Sequence, residues 1–180
     1  PQLLQIKKTS LRLESMMDTI RKQIRFDQNK TNVDLLQEIR DIIYITRYLH
    51  IKNNVEVELV SDNKTHFINT NKAILNHVVH NLFSNACEAC LLTAKEQKKV
   101  SVFVGYQNGL TYISVVDNGI GISDILKEKI FEPFYSSKTN QNGNCGIGLA
   151  SAKHSGEKHR SGKLFCESQE NIGTTMTIII

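Results

Sequence analysis

The sequence predicts an α+β fold, a two-layer α/β sandwich whose mixed, mostly antiparallel sheet is covered by helices on one face. Three observations carry that expectation. Two pairs of β-rich runs, "KVSVFVGY" with "TYISVVD" and "KLFCES" with "TTMTIII", are each separated by a short turn-forming stretch. A long amphipathic stretch, "NKAILNHVVHNLFSNACEACLL", precedes the first pair. Strands and helices lack the regular βαβ alternation of a sheet covered on both faces, so the helices gather on one side.

Taken in order, residues 1–30 read as a helical stub. Leu3, Ile6, Ser10, Leu13, Met17, Ile20 and Ile24 recur at alternating steps of three and four, a heptad-like seam with one polar interruption. So narrow a seam, flanked by basic residues, fits a helix that faces another helix, in a dimer or a helical hairpin. The polar run 27–32 is a linker, and Asn32 or Thr31 is expected to cap a helix with Val33, Leu36, Ile39, Ile43 and Arg47 along one face. "VEVELV" (55–60) alternates like a half-buried strand, and "HFI" (66–68) makes a weaker one. The long helix covers about 71–92, and the strands after it are joined by Gln107-Asn108-Gly109 as a hairpin turn. A polar, glycine-bearing stretch over 136–146 leads into a helix over about 147–158. There Ser155 and Gly156 are weak helix formers, the glycine costing up to about 1 kcal/mol. Two closing strands turn around Gly173.

Composition narrows the class. The chain has 180 residues, 40% of them hydrophobic, which is enough for one core-bearing domain with an appendage. No apolar run approaches the length of a membrane span, and no signal peptide opens the chain. The net charge of +4 resides in residues 1–30, with seven Lys/Arg against three acids, leaving the remainder balanced at 15 against 15. Because those charges interleave with apolar residues at helical spacing, they read as a solvated helix face rather than a nucleic-acid footprint. Cys87, Cys90, Cys145 and Cys166 form no disulfide framework. The single CxxC lies within a helical pattern, without a second pair or a suitably spaced His, which argues against structural zinc and for reduced thiols in the cytoplasm.

Three constellations carry chemistry. On the long helix His77, Asn81, Asn85 and Glu88 share one stripe, opposite the apolar Leu75, Val78, Val79, Leu82 and Ala86. Two asparagines one turn apart gain nothing from helix propensity, and a carboxamide oxygen is a hard neutral ligand suited to hydrated Mg²⁺. A wet helix face is the bland alternative. In "VVDNGIGI" (115–122), Asp117 ends a buried strand, where a carboxylate must find donors such as the exocyclic amine of adenine. Gly119 and Gly121 let the backbone approach a ring or phosphates closely, although Asp-Asn-Gly is also favoured turn chemistry. In "GNCGIGLASAK" (143–153), glycines open directly into a helix, so free N–H groups and the positive dipole end face the loop, an arrangement that binds phosphate. The spacing is neither that of a P-loop nor that of a dinucleotide fingerprint.

"NLFSNACEA", "DNGIGI", "IFEPFYSSK" and "GNCGIGLASAK", in this order, resemble the N, G1, F and G2 boxes of sensor histidine kinases. These belong to the wider ATPase class that includes DNA gyrase, heat-shock chaperone and mismatch-repair ATPases. The resemblance covers about residues 33–180. Residues 1 to about 28 resemble the end of the second helix of that family's dimerisation hairpin. The resemblance implies a Bergerat-type ATP-binding catalytic domain over 31–180, and an Mg²⁺ ligand at Asn85 with Asn81 beside it. It implies adenine recognition by Asp117 with Gly119 and Gly121, F-box aromatics at Phe131 and Phe134, and phosphate-facing residues Gly146, Ile147, Gly148 and Leu149. Residues 136–145 would form the ATP lid, with Lys138 a phosphate contact; Phe131 and Phe134 read equally as core aromatics, and Lys138 as a solvated loop lysine.

Two departures refine the expectation. Asn81 stands where gyrase-like relatives carry a water-activating Glu, so hydrolysis should be poor and the γ-phosphate kept for another acceptor. The six histidines (His50, His66, His77, His80, His154 and His159) include none in the basic stub, so the phosphoacceptor is expected outside this chain. The implied function is the catalytic part of a two-component histidine kinase, using Mg-ATP, with its own dimerisation helices and a response regulator receiver domain as partners. A homodimer, no nucleic acid, and a cytoplasmic location with an inner-membrane anchor possible elsewhere complete the expectation. A nucleotide-sensing module that transfers nothing is the competing class.

Overall fold

The computed structural model describes residues 30–62, 67–133, 135, 148–158 and 162–180. The expected helical stub with its seam, and the stretch 136–147, lie outside them.

The first described strand, β1 (Thr31–Asp34), pairs antiparallel with β3 (Phe67–Thr70) in a two-stranded sheet of its own. This corrects the expectation of a helix capped at Thr31 or Asn32: those residues are spent on strand pairing, opposite Thr70 and Asn69. Asp34 is the cap instead. Its carboxylate accepts the Gln37 N–H at 3.2 Å, and α1 runs Leu35–Ile45. α1 buries Leu35, Leu36, Ile39 and Ile42, and Thr46 ends it by bonding its hydroxyl back to the Ile42 carbonyl at 2.6 Å. Arg47, expected on the α1 face, therefore starts a separate short helix, α2 (Arg47–Ile51), and lies exposed 4.3 Å from the Tyr44 ring centre.

α3 (Lys72–Leu91) is the central helix, capped by Asn71, whose side chain accepts the Ile74 N–H at 3.0 Å. Leu75, Val78, Val79, Leu82 and Ala86 are buried as expected, joined by Ile74, Phe83, Cys87 and Cys90. Burial pushes the Cys87 thiol up to about 12 and the Cys90 thiol up to about 11, so both pack as small neutral groups at physiological pH.

The main sheet comprises β2 (Val55–Ser61), β4 (Lys98–Gln107), β5 (Leu110–Asp117), β6 (Lys163–Gln169) and β7 (Gly173–Ile179), in the order β2-β4-β5-β7-β6. β2 and β4 pair in parallel, because β3 and α3 carry the chain back before β4 starts; the other pairs are antiparallel. Asn108 (φ 54°) and Gly109 (φ 84°) turn β4 into β5 with both residues left-handed, the two-residue turn that matches strand twist. The closing turn falls at 170–172 rather than at Gly173, which is the first residue of β7.

Alternation decides the two layers. Val100, Val102, Val104, Ile113, Val115, Met176 and Ile178 are buried toward the helices. On the opposite face Ser114 and Thr177 pair their hydroxyls at 2.8 Å. The helix layer is α1, α3 and α5 (Gly148–Lys158), which continues through Ser155 and Gly156 despite their low propensity and packs on α3 and β6. A short α4 (Asp124–Lys127) lies beside β6. Asp117, in phase with Ile113 and Val115, thus ends β5 on the covered side.

Candidate functional site

His77, Asn81, Asn85 and Glu88 are all half-buried, on the flank of α3 away from its core stripe. Asn81 is oriented by its own helix: its amide nitrogen donates to the His77 carbonyl at 2.9 Å and lies 3.1 Å from a His77 ring nitrogen. Burial, with a smaller contribution from neighbouring His80, lowers the His77 pKa, which keeps that imidazole neutral near pH 7. The Asn81 oxygen faces the other way. A Cβ on Gly148, the first residue of α5, would lie 2.9 Å from it, so the start of α5 rests directly on Asn81. Asn85 follows one turn along α3.

The last turn of α3 seats the loop after β5. Gly119 lies so close that a Cβ there would come within 2.5 Å of the Ala89 backbone, and the Ile120 N–H donates to the Ala89 carbonyl at 3.3 Å. Asp117 is 8% exposed. Its carboxylate accepts the Gly119 N–H at 2.8 Å, and the backbone of Thr174, opposite it on β7, also bonds it. Burial nevertheless dominates and raises its pKa from 3.8 to about 6, against the opposing pull of those two backbone groups and of Lys95. A carboxylate has about four acceptor positions. An amine of a bound base has acceptor capacity to meet here.

The glycines at 119 and 121 have a packing reason beside the one the sequence suggests. Their missing side chains clear space for protein, Ala89 in one case and the Gln169 carbonyl in the other. Gly121 has φ 67°, and a Cβ there would stand 2.0 Å from the Gln169 oxygen. Gly121→Ala is therefore expected to destabilise the domain by about 2–4 kcal/mol, combining left-handed strain with overpacking. Urea unfolding measures this, and an unchanged midpoint would contradict the packing described.

Among the predicted site residues the fold brings together Asn81, Asn85, Asp117, Gly119, Gly121 and Gly148. Leu149 packs partly buried on the core. Phe134, Lys138, Gly146 and Ile147 lie outside the described residues. Phe131 also packs against the core, with the Lys153 ammonium 4.9 Å from its ring centre, which favours its reading as a core aromatic. A cleft of about 650 Å³ between α1, α2 and β2 is lined by none of these residues. Among the described residues no cluster of His, Cys, Asp or Glu is placed to hold a metal ion. A cation at Asn85 would take most of its ligands from water and phosphate, as Mg²⁺ does with nucleotides.

Sequence reasoning passed over four residues that shape the loop. Asn118 accepts the Lys99 N–H at 2.8 Å and donates to the Gln97 carbonyl at 2.8 Å, which pins the loop to the start of β4. Ser168 accepts the Ile122 N–H at 2.8 Å and donates to the Gly173 carbonyl at 2.9 Å. Thr174 enters by strand register. Lys95, between α3 and β4, donates to the carbonyls of Asn118 at 2.9 Å and Ile172 at 2.7 Å. Register makes Thr174 recoverable from the hydrophobic alternation; the other three depend on non-local contacts.

Residues 70–180 match the family described as histidine kinase-, DNA gyrase B-, and HSP90-like ATPase. The chain is 30% identical to the sensor histidine kinase WalK of Bacillus subtilis over 156 residues, covering 83% of this chain and 25% of WalK. It is similar to the nucleotide-free catalytic domain of histidine kinase ThkA, with a TM-score of 0.73 at 28% identity over 84% of this chain and 94% of that one. ThkA in complex with the response regulator TrrA shares the fold, with a TM-score of 0.73 at 24% identity over 97% of this chain and 48% of that one. The chain spans about a quarter of the length of the curated relatives it matches.

Proposed function

Because this chain belongs to the histidine kinase-, DNA gyrase B- and HSP90-like ATPases, and among them to the ATP-binding domains of sensor histidine kinases, we propose that it holds Mg-ATP and passes the γ-phosphoryl to a histidine. That histidine is supplied by a dimerisation helix outside residues 1–180. The observation that carries this reading is the placing of Asp117. It is a buried carboxylate whose loop is seated on Ala89, with Asn85 one turn and Asn81 two turns back along the same helix, and the start of α5 against Asn81.

In this reading Asp117 accepts the adenine amine, while Gly119 and Gly121 hold its loop in place. Asn85 offers the carboxamide oxygen to hydrated Mg²⁺, which when bound neutralises phosphate charge. The N–H groups around Gly146, Ile147, Gly148 and Leu149 receive phosphate oxygens, as helix N-termini do. The resemblance adds Phe134 as an F-box aromatic and Lys138 as a phosphate contact. Asn81 positions the start of α5 and offers no base, since a carboxamide takes no proton from water near pH 7. Bound ATP is thereby spared for the imidazole, whose nitrogen forms the new bond to phosphorus as ADP leaves. Catalysis rests on positioning and charge stabilisation.

The domain would work in the cytoplasm, as part of a homodimer that hands phosphate to a response regulator receiver domain, a kind of partner with which the relative ThkA is found in its complex with TrrA. Among the described residues no helix is long and apolar enough to cross a membrane. Incubating a longer form of the protein, carrying the histidine-bearing helix, with Mg and γ-labelled ATP is expected to give acid-labile, alkali-stable label on that histidine. The chain of residues 1–180 alone should stay unlabelled. Nucleotide binding without any label in the longer form would turn the conclusion to a sensing module.

A further inference from the structure

Lys95 leaves the end of α3 and reaches two carbonyls that lie 23 and 77 residues away in sequence, those of Asn118 and Ile172. Both flank the adenine-reading carboxylate. Asn118 follows Asp117, and Ile172 precedes Gly173, whose own missing side chain leaves room for the Asp117 carbonyl: a Cβ there would stand 2.0 Å from it. The same two segments are joined by the Asn171 N–H bonding the Ile120 carbonyl at 2.6 Å and by Ser168 under Ile122. Lys95 is the cationic member of this strap. We infer that Lys95 is a positioning residue for nucleotide recognition, its ammonium binding the Asp117 loop to the β6–β7 turn and so fixing where the carboxylate meets the base.

This rests on the nucleotide reading of Asp117 given above. Lysine suits the task because one ammonium carries three donors, enough for two carbonyls while keeping a positive charge near Asp117. The titratable groups that interact with Asp117 from packed elements are Cys87 and Cys90 on α3 and Cys166 on β6. Burial raises all three thiols, so they remain neutral near pH 7. Among the described groups acting on Asp117, Lys95 is the one that brings a positive charge. A purely structural strap would affect unfolding alone. An electrostatic strap also sets the pH at which Asp117 stops accepting from the base.

The test is the affinity for AMPPNP between pH 5 and 8 in the wild-type chain and in Lys95→Met and Lys95→Arg. In the wild type, binding should fall away below about pH 6, where Asp117 takes up its proton. Lys95→Met should bind about tenfold more weakly at pH 7, with the midpoint of the fall moved upward by about half a pH unit; Lys95→Arg should restore both. If Lys95→Met does not fold, Lys95→Gln keeps an amide donor without the charge and must show the same upward move. A wild-type midpoint retained in the uncharged variant, whatever its melting temperature, overturns the inference and leaves the nucleotide reading standing. A wild-type chain that does not bind AMPPNP overturns both.

Discussion

Asparagine in place of Asp117 is expected to weaken ATP binding about 100-fold at pH 7 while leaving the domain slightly more stable than the wild type. The binding loss follows from chemistry at one atom. A carboxylate accepts at both oxygens, whereas the carboxamide turns an N–H₂ donor toward either the base amine or the Thr174 backbone, so donor meets donor. Losing a charge-assisted hydrogen bond and leaving a donor unmet costs about 2–3 kcal/mol, which is the stated factor. The gain in stability follows from linkage. Burial raises the folded pKa of Asp117 from 3.8 to about 6, so between those values the native state holds a proton that the unfolded chain has released. Stability therefore falls as pH rises through that window, and at pH 7 the buried ion carries a cost on the order of 2–3 kcal/mol. The amide removes that cost but strains the Thr174 contact, for a net gain of about 1 kcal/mol, or about 2–4 °C in melting temperature. Thermal unfolding at pH 7.5 and at pH 4 checks the sign: the gain should shrink at the lower pH. Equal ATP affinity in the two proteins would remove Asp117 from the site.

Alanine at Asn85 is expected to abolish the dependence of nucleotide affinity on Mg²⁺. Calorimetric titration of AMPPNP with Mg²⁺ and with a chelator should show at least about a tenfold difference in the wild type and none in Asn85→Ala. No group of three or more His, Cys, Asp and Glu among the described residues stands ready to hold a cation, and the resemblance puts the Mg²⁺ ligand at Asn85, one of the hard oxygens on the α3 stripe with Asn81 and Glu88. Asn85 is half-buried and off the core stripe, so its truncation should alter unfolding by only about 0.5–1 kcal/mol, and lost Mg²⁺ dependence can be read as lost ligation. A variant that retains the full Mg²⁺ effect would place the cation elsewhere.

What the sequence revealed and what it hid divide along contact distance. The Asn108-Gly109 turn, the Asn71 start of α3 and its core stripe are local signals, and each appears where propensity and periodicity put it. The strand at residues 31–34 was hidden because Thr and Asn before an apolar run look like a cap; their pairing with Thr70 and Asn69 is a contact across the chain. The parallel pairing of β2 with β4 is hidden for the same reason. At the candidate site, residue types and spacing single out Asp117 and the two asparagines as candidates. The packing role of Gly119 and Gly121 is not legible there, since it depends on Ala89 and Gln169 standing against them. Lys95 reads in sequence as one more solvated loop lysine, and only the fold brings its two carbonyls to it.

The seat of the Asp117 loop on Ala89 has a mechanical consequence. Ala89 and Asn85 are one turn apart on one continuous helix, about 6 Å along its axis. In the proposed function, the wall that would read the base and the wall that would meet the cation are mounted on the same rod and keep their spacing as a gauge block does. Nucleotide-driven movement cannot be a change in that spacing without breaking α3. Any movement of α5, whose first residue Gly148 lies against Asn81, would leave that spacing as it is. The two ends of a bound nucleotide would then play unequal parts, the base registering against a fixed scale and the phosphates lying toward the separate start of α5.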